Sequence, residues 1–217
     1  MLAKALATEG GMNFIAVKGP ELYTKWVGES EKAVREVFRK ARAASPTVIF
    51  FDEIDALAGS RDSGDGSSGV TARVLSQLLH EMDGIKPLRQ VVVVAATNRP
   101  DLLDRALLRP GRIDRMMYVG PPDAESRAAI VQLQLDRIPH DSSLSSCRAL
   151  VDALAGFSGA EIVSVFREAA LAAMEESVEA RCISARHVSA ARGRVTPQIT
   201  PDMLEFYARF ERQRKAV

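Results

Sequence analysis

With 217 residues, 47% hydrophobic and 26% charged, the chain has the makeup of a globular protein able to bury a real core in one or two domains. Its 29 basic and 28 acidic residues leave a net charge of +1, which gives no electrostatic footprint for nucleic acid or an acidic membrane surface. No apolar run is longer than Val91 to Ala96, far too short to span a membrane; the opening Met1-Leu2-Ala3-Lys4 lacks a signal-peptide core; and Cys147 and Cys182 read as two free, half-buried thiols of a reducing compartment.

Leucine and alanine at helical spacing predict a helix over residues 2–9 with no capping residue ahead of it. Phe14 to Val17 predicts a short strand ending at Gly19-Pro20. Ser30 reads as a helix N-cap, because Ala33, Val34, Val37, Phe38 and Ala41 follow at three- and four-residue spacing, and this helix must stop before Pro46. Thr47 to Asp52 predicts a strand whose Val48 to Phe51 are continuously apolar, the pattern of burial on both faces. Ser60 to Gly69 is rich in glycine, serine and aspartate and predicts a loop, and Val70 to Met82 predicts a helix with Val74, Leu75, Leu78, Leu79 and Met82 on one face. Val91 to Ala96 predicts a second fully buried strand ending in Thr97-Asn98, and Arg115 to Val119 a further strand closed by Gly120-Pro121-Pro122. Strands alternating with helices imply a parallel sheet with right-handed crossovers. Beyond Pro122 the pattern changes to helices near 124–137, 145–154, 159–178, 184–192 and 201–214. The fold class is therefore α/β over residues 1–121, followed by an all-α domain over 122–217.

Chemistry concentrates at the end of the Thr47–Asp52 strand. Open α/β sheets place ligands at the carboxyl ends of their strands, where Asp52 and Glu53 stand. In a nucleoside-triphosphate hydrolase such a pair divides the labour: the first acid holds Mg²⁺ through its shell, and the second orients the attacking water. Asn98 ends the neighbouring apolar strand, where its amide suits both a water and a γ-phosphate; an asparagine making a turn before Pro100 gives the same pattern. Arg109-Pro110-Gly111-Arg112 puts a tight turn between two arginines and is expected to project both guanidinium groups from one loop. Surface arginines with no special role are the alternative.

Taken together, these residues resemble the AAA ATPases, and the resemblance runs from Met1 to the last helix. Val48 to Glu53 looks like the Walker B strand, Thr97-Asn98 like sensor 1, and Arg109 with Arg112 like the paired arginine fingers. Met82-Asp83-Gly84 looks like the intersubunit signalling turn. Gly156 to Glu161 resembles the start of the sensor 2 helix, where Gly159 and Ala160 would lie against the base and ribose of ATP. Lys25 to Glu31 resembles pore loop 1, so Trp26, Val27 and Gly28 would line a hexamer's channel and grip a polypeptide through the large rigid face of tryptophan. Ser60 to Gly69 would be pore loop 2. His80, His140 and His187 show no metal-ligand spacing and read as solvated or capping residues. The arginines near the chain end complement the carboxyl end of the last helix.

The resemblance implies an AAA-type parallel sheet followed by a helical lid, with ATP and Mg²⁺ as cofactors. It also implies a homo-hexamer with full-length copies, a protein substrate in the pore, and no membrane or sequence-specific nucleic-acid partner. The wording of Asn13 to Leu22, Met116 to Val119 and Val195 to Pro201 narrows it to a branch acting on precursors of the large ribosomal subunit in the cytoplasm, with the nucleus as a second compartment. Valosin-containing-protein-like unfoldases are the competing branch. None of the 14 glycines is followed by lysine, so the G-x-x-x-x-G-K-[ST] phosphate loop is not among these residues. In the family that loop immediately precedes the helix beginning here at Met1, and its strand lies in the sheet between those expected at Val91 and Arg115. The resemblance thus implies either a piece of a complete ATPase or a short, non-catalytic binding or regulatory form.

Overall fold

The structure, a computed structural model, describes residues 2–24, 30–58, 68–83, 90–144 and 147–215. The chain divides into two compact units, Met1–Met117 and Tyr118–Val217.

In the first unit, α1 (Leu2–Glu9), β1 (Asn13–Lys18), α2 (Glu21–Thr24), α3 (Ser30–Ala43), β2 (Thr47–Asp52), α4 (Ile54–Ala58), α5 (Ser68–Asp83) and β3 (Val91–Ala95) follow in order. The three strands form a parallel sheet ordered β1-β2-β3, with Lys18 opposite Asp52 and Phe51 opposite Ala95. β2 is central, which explains its unbroken apolar sequence: Val48, Ile49 and Phe51 are fully buried. Ile49 and Phe51 join Phe38 of α3 and Val74, Leu75 and Leu78 of α5 in one core. Phe38 and Phe51 lie with their ring centroids 6.2 Å apart. On the opposite face Phe14 stacks on Phe50 at 6.1 Å.

Two expectations for this sheet are corrected. Residues 115–119 form no strand: Met117 and Val119 are 86% and 68% exposed, and a β-branched, aromatic stretch becomes a strand only where a partner offers hydrogen bonds. Likewise β3 is not buried throughout. Val91 is buried but Val92 is 42% exposed, because β3 pairs with β2 alone among the described strands. α5 begins at Ser68, two residues inside the expected loop. The short helices α2 and α4, and the 3-10 turns Pro100–Leu102 and Arg105–Leu108, have too few residues to show a period and were not anticipated.

The second unit contains α6 (Ala124–Leu135), α7 (Cys147–Ala153), α8 (Gly159–Glu176), α9 (Ala185–Arg194) and α10 (Pro201–Lys215), with a 3-10 turn at Ser142–Leu144. α8 is the spine: Ile162, Val165, Phe166, Ala169 and Ala173 recur at three- and four-residue spacing and are buried in one core with Val131 of α6, Leu154 just past α7 and Val188 of α9. Helix starts are fixed locally. Asp123 accepts the Ser126 amide at 2.8 Å, and Ser158 and Glu161 form a reciprocal capping box. Cys182 is exposed rather than half-buried, since it lies in the turn between α8 and α9. No helix among the described residues is long and apolar enough to cross a membrane.

Candidate active site

The acid-tipped end of β2 is tightly organised. Asp52 is half-buried, and its Oδ1 accepts the Glu53 amide at 3.2 Å. Glu53 has φ +53°, a left-handed conformation uncommon for a residue with a side chain and found preferentially at functional positions. The following residues hold it there: the Ile54 amide donates to the Ala96 carbonyl at 3.1 Å, and the Ala56 amide to the Glu53 carbonyl at 3.0 Å. Gly19, just past β1, completes the packing. Its amide donates to the Asp52 carbonyl at 2.9 Å, and a Cβ there would stand 2.4 Å from the Glu53 carbonyl oxygen, so any side chain would displace the acidic turn.

The neighbouring strand delivers Thr97 and Asn98 beside this turn. Because β2 and β3 are parallel and Phe51 faces Ala95, their carboxyl ends lie side by side. The Ala96 amide donates to the Phe51 carbonyl at 2.8 Å. Thr97 Oγ1 then donates to Asp55 Oδ1 at 2.6 Å and accepts the Arg99 amide at 2.9 Å. Asn98 is exposed between two residues whose positions are fixed. Asp55, which anchors Thr97 across 42 residues, carries no signal in the sequence that separates it from any acid in a helical first turn.

Arg109 and Arg112 behave differently from each other. The turn between them is present: the Arg112 amide donates to the Arg109 carbonyl at 3.1 Å, and Gly111 takes φ +89°, the conformation that the third position of such a Pro-Gly turn demands. Arg109 is exposed. Arg112 is not projected as expected. Its Nε donates to Asp83 Oδ1 at 2.8 Å, its Nη2 donates to Asp83 Oδ2, and its Nη1 donates to the Ala106 carbonyl at 2.6 Å. A bidentate guanidinium–carboxylate pair with a third bond satisfies most of that fork, so Arg112 is folded back on its own chain. The hydrogen bonds from Arg112 hold the Asp83 carboxyl below its ordinary pKa, and the same contact raises that of Arg112.

Within the second unit, Gly159 and Ala160 open α8, directly after the Ser158 cap; Gly159 is half-buried and Ala160 exposed. Trp26, Val27 and Gly28 lie outside the described residues, as do residues 60–67 of the second expected loop and Gly84 of the turn that includes Asp83. His187 is a capping residue: its Nδ1 accepts the Ser184 amide at 3.1 Å, and its Nε2 lies 2.8 Å from Glu176 Oε2. Among the described residues no group of three potential metal ligands converges.

Residues 1–121 match the ATPase family associated with various cellular activities (AAA), and residues 147–190 match the AAA+ lid domain. The chain belongs to the AAA ATPase family. It is 54% identical to ATPase family gene 2 protein homolog A of Homo sapiens over 211 residues, which are 97% of this chain and 24% of that protein. It is 50% identical to ATPase family gene 2 protein of Saccharomyces cerevisiae over 210 residues, 97% of this chain and 27% of that one. To the Cell division cycle protein 48 homolog of Archaeoglobus fulgidus it is 49% identical over 220 residues, 95% of this chain and 30% of the relative. The chain thus spans about a quarter of the length of the curated relatives it matches.

Membership in the AAA ATPases carries nucleotide binding and hydrolysis as the general chemistry of the family. What the structure adds is the mutual placement of Asp52, Glu53 and Asn98 at two adjacent strand ends, and the unequal state of the two arginines. The sequence did not disclose Gly19 and Asp55, which support the acidic turn, because their roles depend on contacts made across strands.

Proposed function

We infer that this chain is part of an ATP-hydrolysing AAA hexamer that threads or extracts protein substrates, and that the substrate belongs to a precursor of the large ribosomal subunit in the cytoplasm. The observation that carries the hydrolytic reading is the placement of Asp52 and Glu53 at the tip of the central parallel strand, beside Asn98 at the tip of the next. The similarity to ATPase family gene 2 proteins supports the ribosomal assignment. A valosin-containing-protein-like unfoldase is the second reading, supported by 49% identity to the Archaeoglobus Cell division cycle protein 48 homolog.

The donor set at the strand tip fits Mg²⁺. Asp52 and Glu53 offer carboxylate oxygens, the hard donors this ion takes, and Asp52 would hold it through its hydration shell. When bound, the ion neutralises charge on the β- and γ-phosphates. Glu53, set apart by its left-handed backbone, polarises the attacking water, and the Asn98 amide orients it. Gly159 and Ala160 approach the base and ribose, glycine allowing close contact. An exposed Arg109 is free to reach the γ-phosphate of an adjacent copy, where such a guanidinium is worth about 10³–10⁵ in rate. Arg112 joins it only after the bidentate pair with Asp83 opens. Trp26, Val27 and Gly28 would grip the polypeptide in the central channel. The phosphate loop is not among these 217 residues, so the activity is proposed for the longer protein.

The test is made in that longer protein. Glu53→Gln is expected to retain ATP binding and abolish turnover, and Trp26→Ala to spare turnover and stop substrate extraction. Normal hydrolysis by Glu53→Gln sinks the hydrolytic assignment. Extraction that survives Trp26→Ala sinks the pore assignment alone.

A further inference from the structure

Glu161 divides its carboxylate between two distant parts of the helical unit. Oε2 accepts the Ser158 amide at 2.7 Å, closing the capping box at the start of α8. Oε1 accepts the amide of Gln198 at 2.8 Å, 37 residues further on, in the extended segment that leads into α10. A capping box requires the first bond and gives no reason for the second. Burial works to raise the Glu161 pKa, but the amides of Ser158 and Gln198 and the Ser158 hydroxyl outweigh it and hold the carboxyl below its ordinary value. The charged form is therefore the one that this geometry selects.

The Gln198 bond stands three residues ahead of α10. Residues 201–213 are exposed or half-buried, with Met203 and Leu204 at 48% and 39% exposure. Tyr207 stacks on Tyr118 with centroids 5.6 Å apart, and at the start of the helix Thr200 accepts the Met203 and Leu204 amides. The bond to Glu161 ties α10's lead-in to the body of the unit and is charge-assisted. That same side chain fixes the Ser158-Gly159-Ala160 turn.

We propose that Glu161 is a positioning residue that couples docking of the C-terminal helix α10 to nucleotide affinity at Gly159 and Ala160. The proposal rests on the assignment of those two residues to the nucleotide. With both oxygens engaged, the Glu161 side chain has one conformation and the turn it caps is held ready. Without the Gln198 bond the side chain regains rotamer freedom, the capping bond weakens, and nucleotide must order the turn as it binds. Coupling of this kind is reciprocal, so bound nucleotide must in turn tighten α10.

The experiment uses the full-length protein with Mg·ADP as the probe. Gln198→Pro deletes the donor amide and leaves the capping box intact, and Pro197 already confines the preceding backbone. Gln198→Ala keeps the amide and serves as the control. The expected result is ADP binding weakened about fivefold or more by Gln198→Pro and unchanged by Gln198→Ala, with KM for ATP raised and kcat within about twofold. In the unsubstituted protein, ADP should slow hydrogen exchange at the Gln198 amide and over residues 201–206. If Gln198→Pro does not assemble, Glu161→Gln sets a side-chain NH₂ against one of the two amides and is read in the same way. Unchanged ADP affinity in a variant whose residues 199–206 exchange faster overturns the coupling while leaving the nucleotide assignment standing. Failure of the unsubstituted protein to bind ADP overturns the assignment itself, and the coupling with it.

Discussion

The two units solve the same problem, burying an apolar face, over different distances along the chain. The helical unit settles most of its ends within a few residues: Asp123 with Ser126, Ser158 with Glu161, Ser184 with His187. Its core helices then close on one another around α8. The α/β unit depends on longer reach. Thr97 is fixed by Asp55 across 42 residues, Arg112 by Asp83 across 29, and β3 is half exposed along its outer side. The helical unit has long ties too, such as Glu161 to Gln198 across 37 residues, but no strand among its described residues. A unit built on a sheet has an edge that keeps unsatisfied backbone groups until something pairs with it. The proposed chemistry lies in the second kind of unit, at strand tips whose geometry a distant substitution can disturb.

The largest expected effect separates the units by function. In the longer protein Glu53→Gln should lower turnover by about 10²–10⁴ while leaving ATP affinity within a few-fold, because it removes the group that handles the proton of water. The 217-residue chain alone should show no ATPase above background. Measured steady-state rates that approach those of the full protein would erase the functional contrast.

The next effect tests the structural contrast directly. Phe166 is fully buried in the α8 core, and Phe166→Ala should cost about 3–5 kcal/mol in urea unfolding. Val92, on the outer strand, is 42% exposed, and Val92→Ala should cost about 0.5 kcal/mol or less. Equal losses would mean that the edge of β3 is covered in solution. A smaller effect comes from the caps: Ser158→Ala should destabilise the helical unit by about 1 kcal/mol, since the Glu161 amide donates to Ser158 Oγ at 3.3 Å.

How far each unit could be read from sequence follows the same division. The helix starts at Asp123 and Ser158 and the periodic faces of α5 and α8 are written within a few residues of where they act. So are β1 and β2, and the acids at the tip of β2. Residues 115–119 misled because β propensity describes a surface that fits a sheet and says nothing of whether a partner is present. Val91 to Ala96 misled for the same reason: a continuous apolar run does not distinguish an edge strand from a central one. Arg112 was legible as a residue type and turn position. Its folding back onto Asp83 was not, since that pairing needs the end of α5 and the Pro-Gly turn to meet in space. The left-handed backbone at Glu53 had no local signature, because no glycine or asparagine marks the position.

The smallest effect is electrostatic and should appear in both units in a defined order as the solution is acidified. Glu176 is held below its ordinary pKa first by its hydrogen bond to His187 and then by the charge of Arg186, while Asp83 is held down by Arg112. A carboxyl whose pKa is depressed in the folded state stabilises that state above its unfolded pKa, and the contribution fades as pH falls through the folded value. The onset is set by the unfolded groups, near pH 4.3 for glutamate and about 3.9 for aspartate. Both carboxylates are about half exposed, at 48% for Asp83 and 49% for Glu176, so the effects are small and fall with added salt. Urea midpoints measured downward from pH 6 should therefore begin to drop in the helical unit before the Asp83 clasp contributes. Glu176→Gln should flatten a share of the first part of that fall, the rest belonging to glutamates such as Glu161, and Asp83→Asn a share of the later part. If Asp83→Asn alone removed the whole slope, the acid sensitivity would belong to the α/β unit, and the helical unit would be indifferent to the charge at the end of α8.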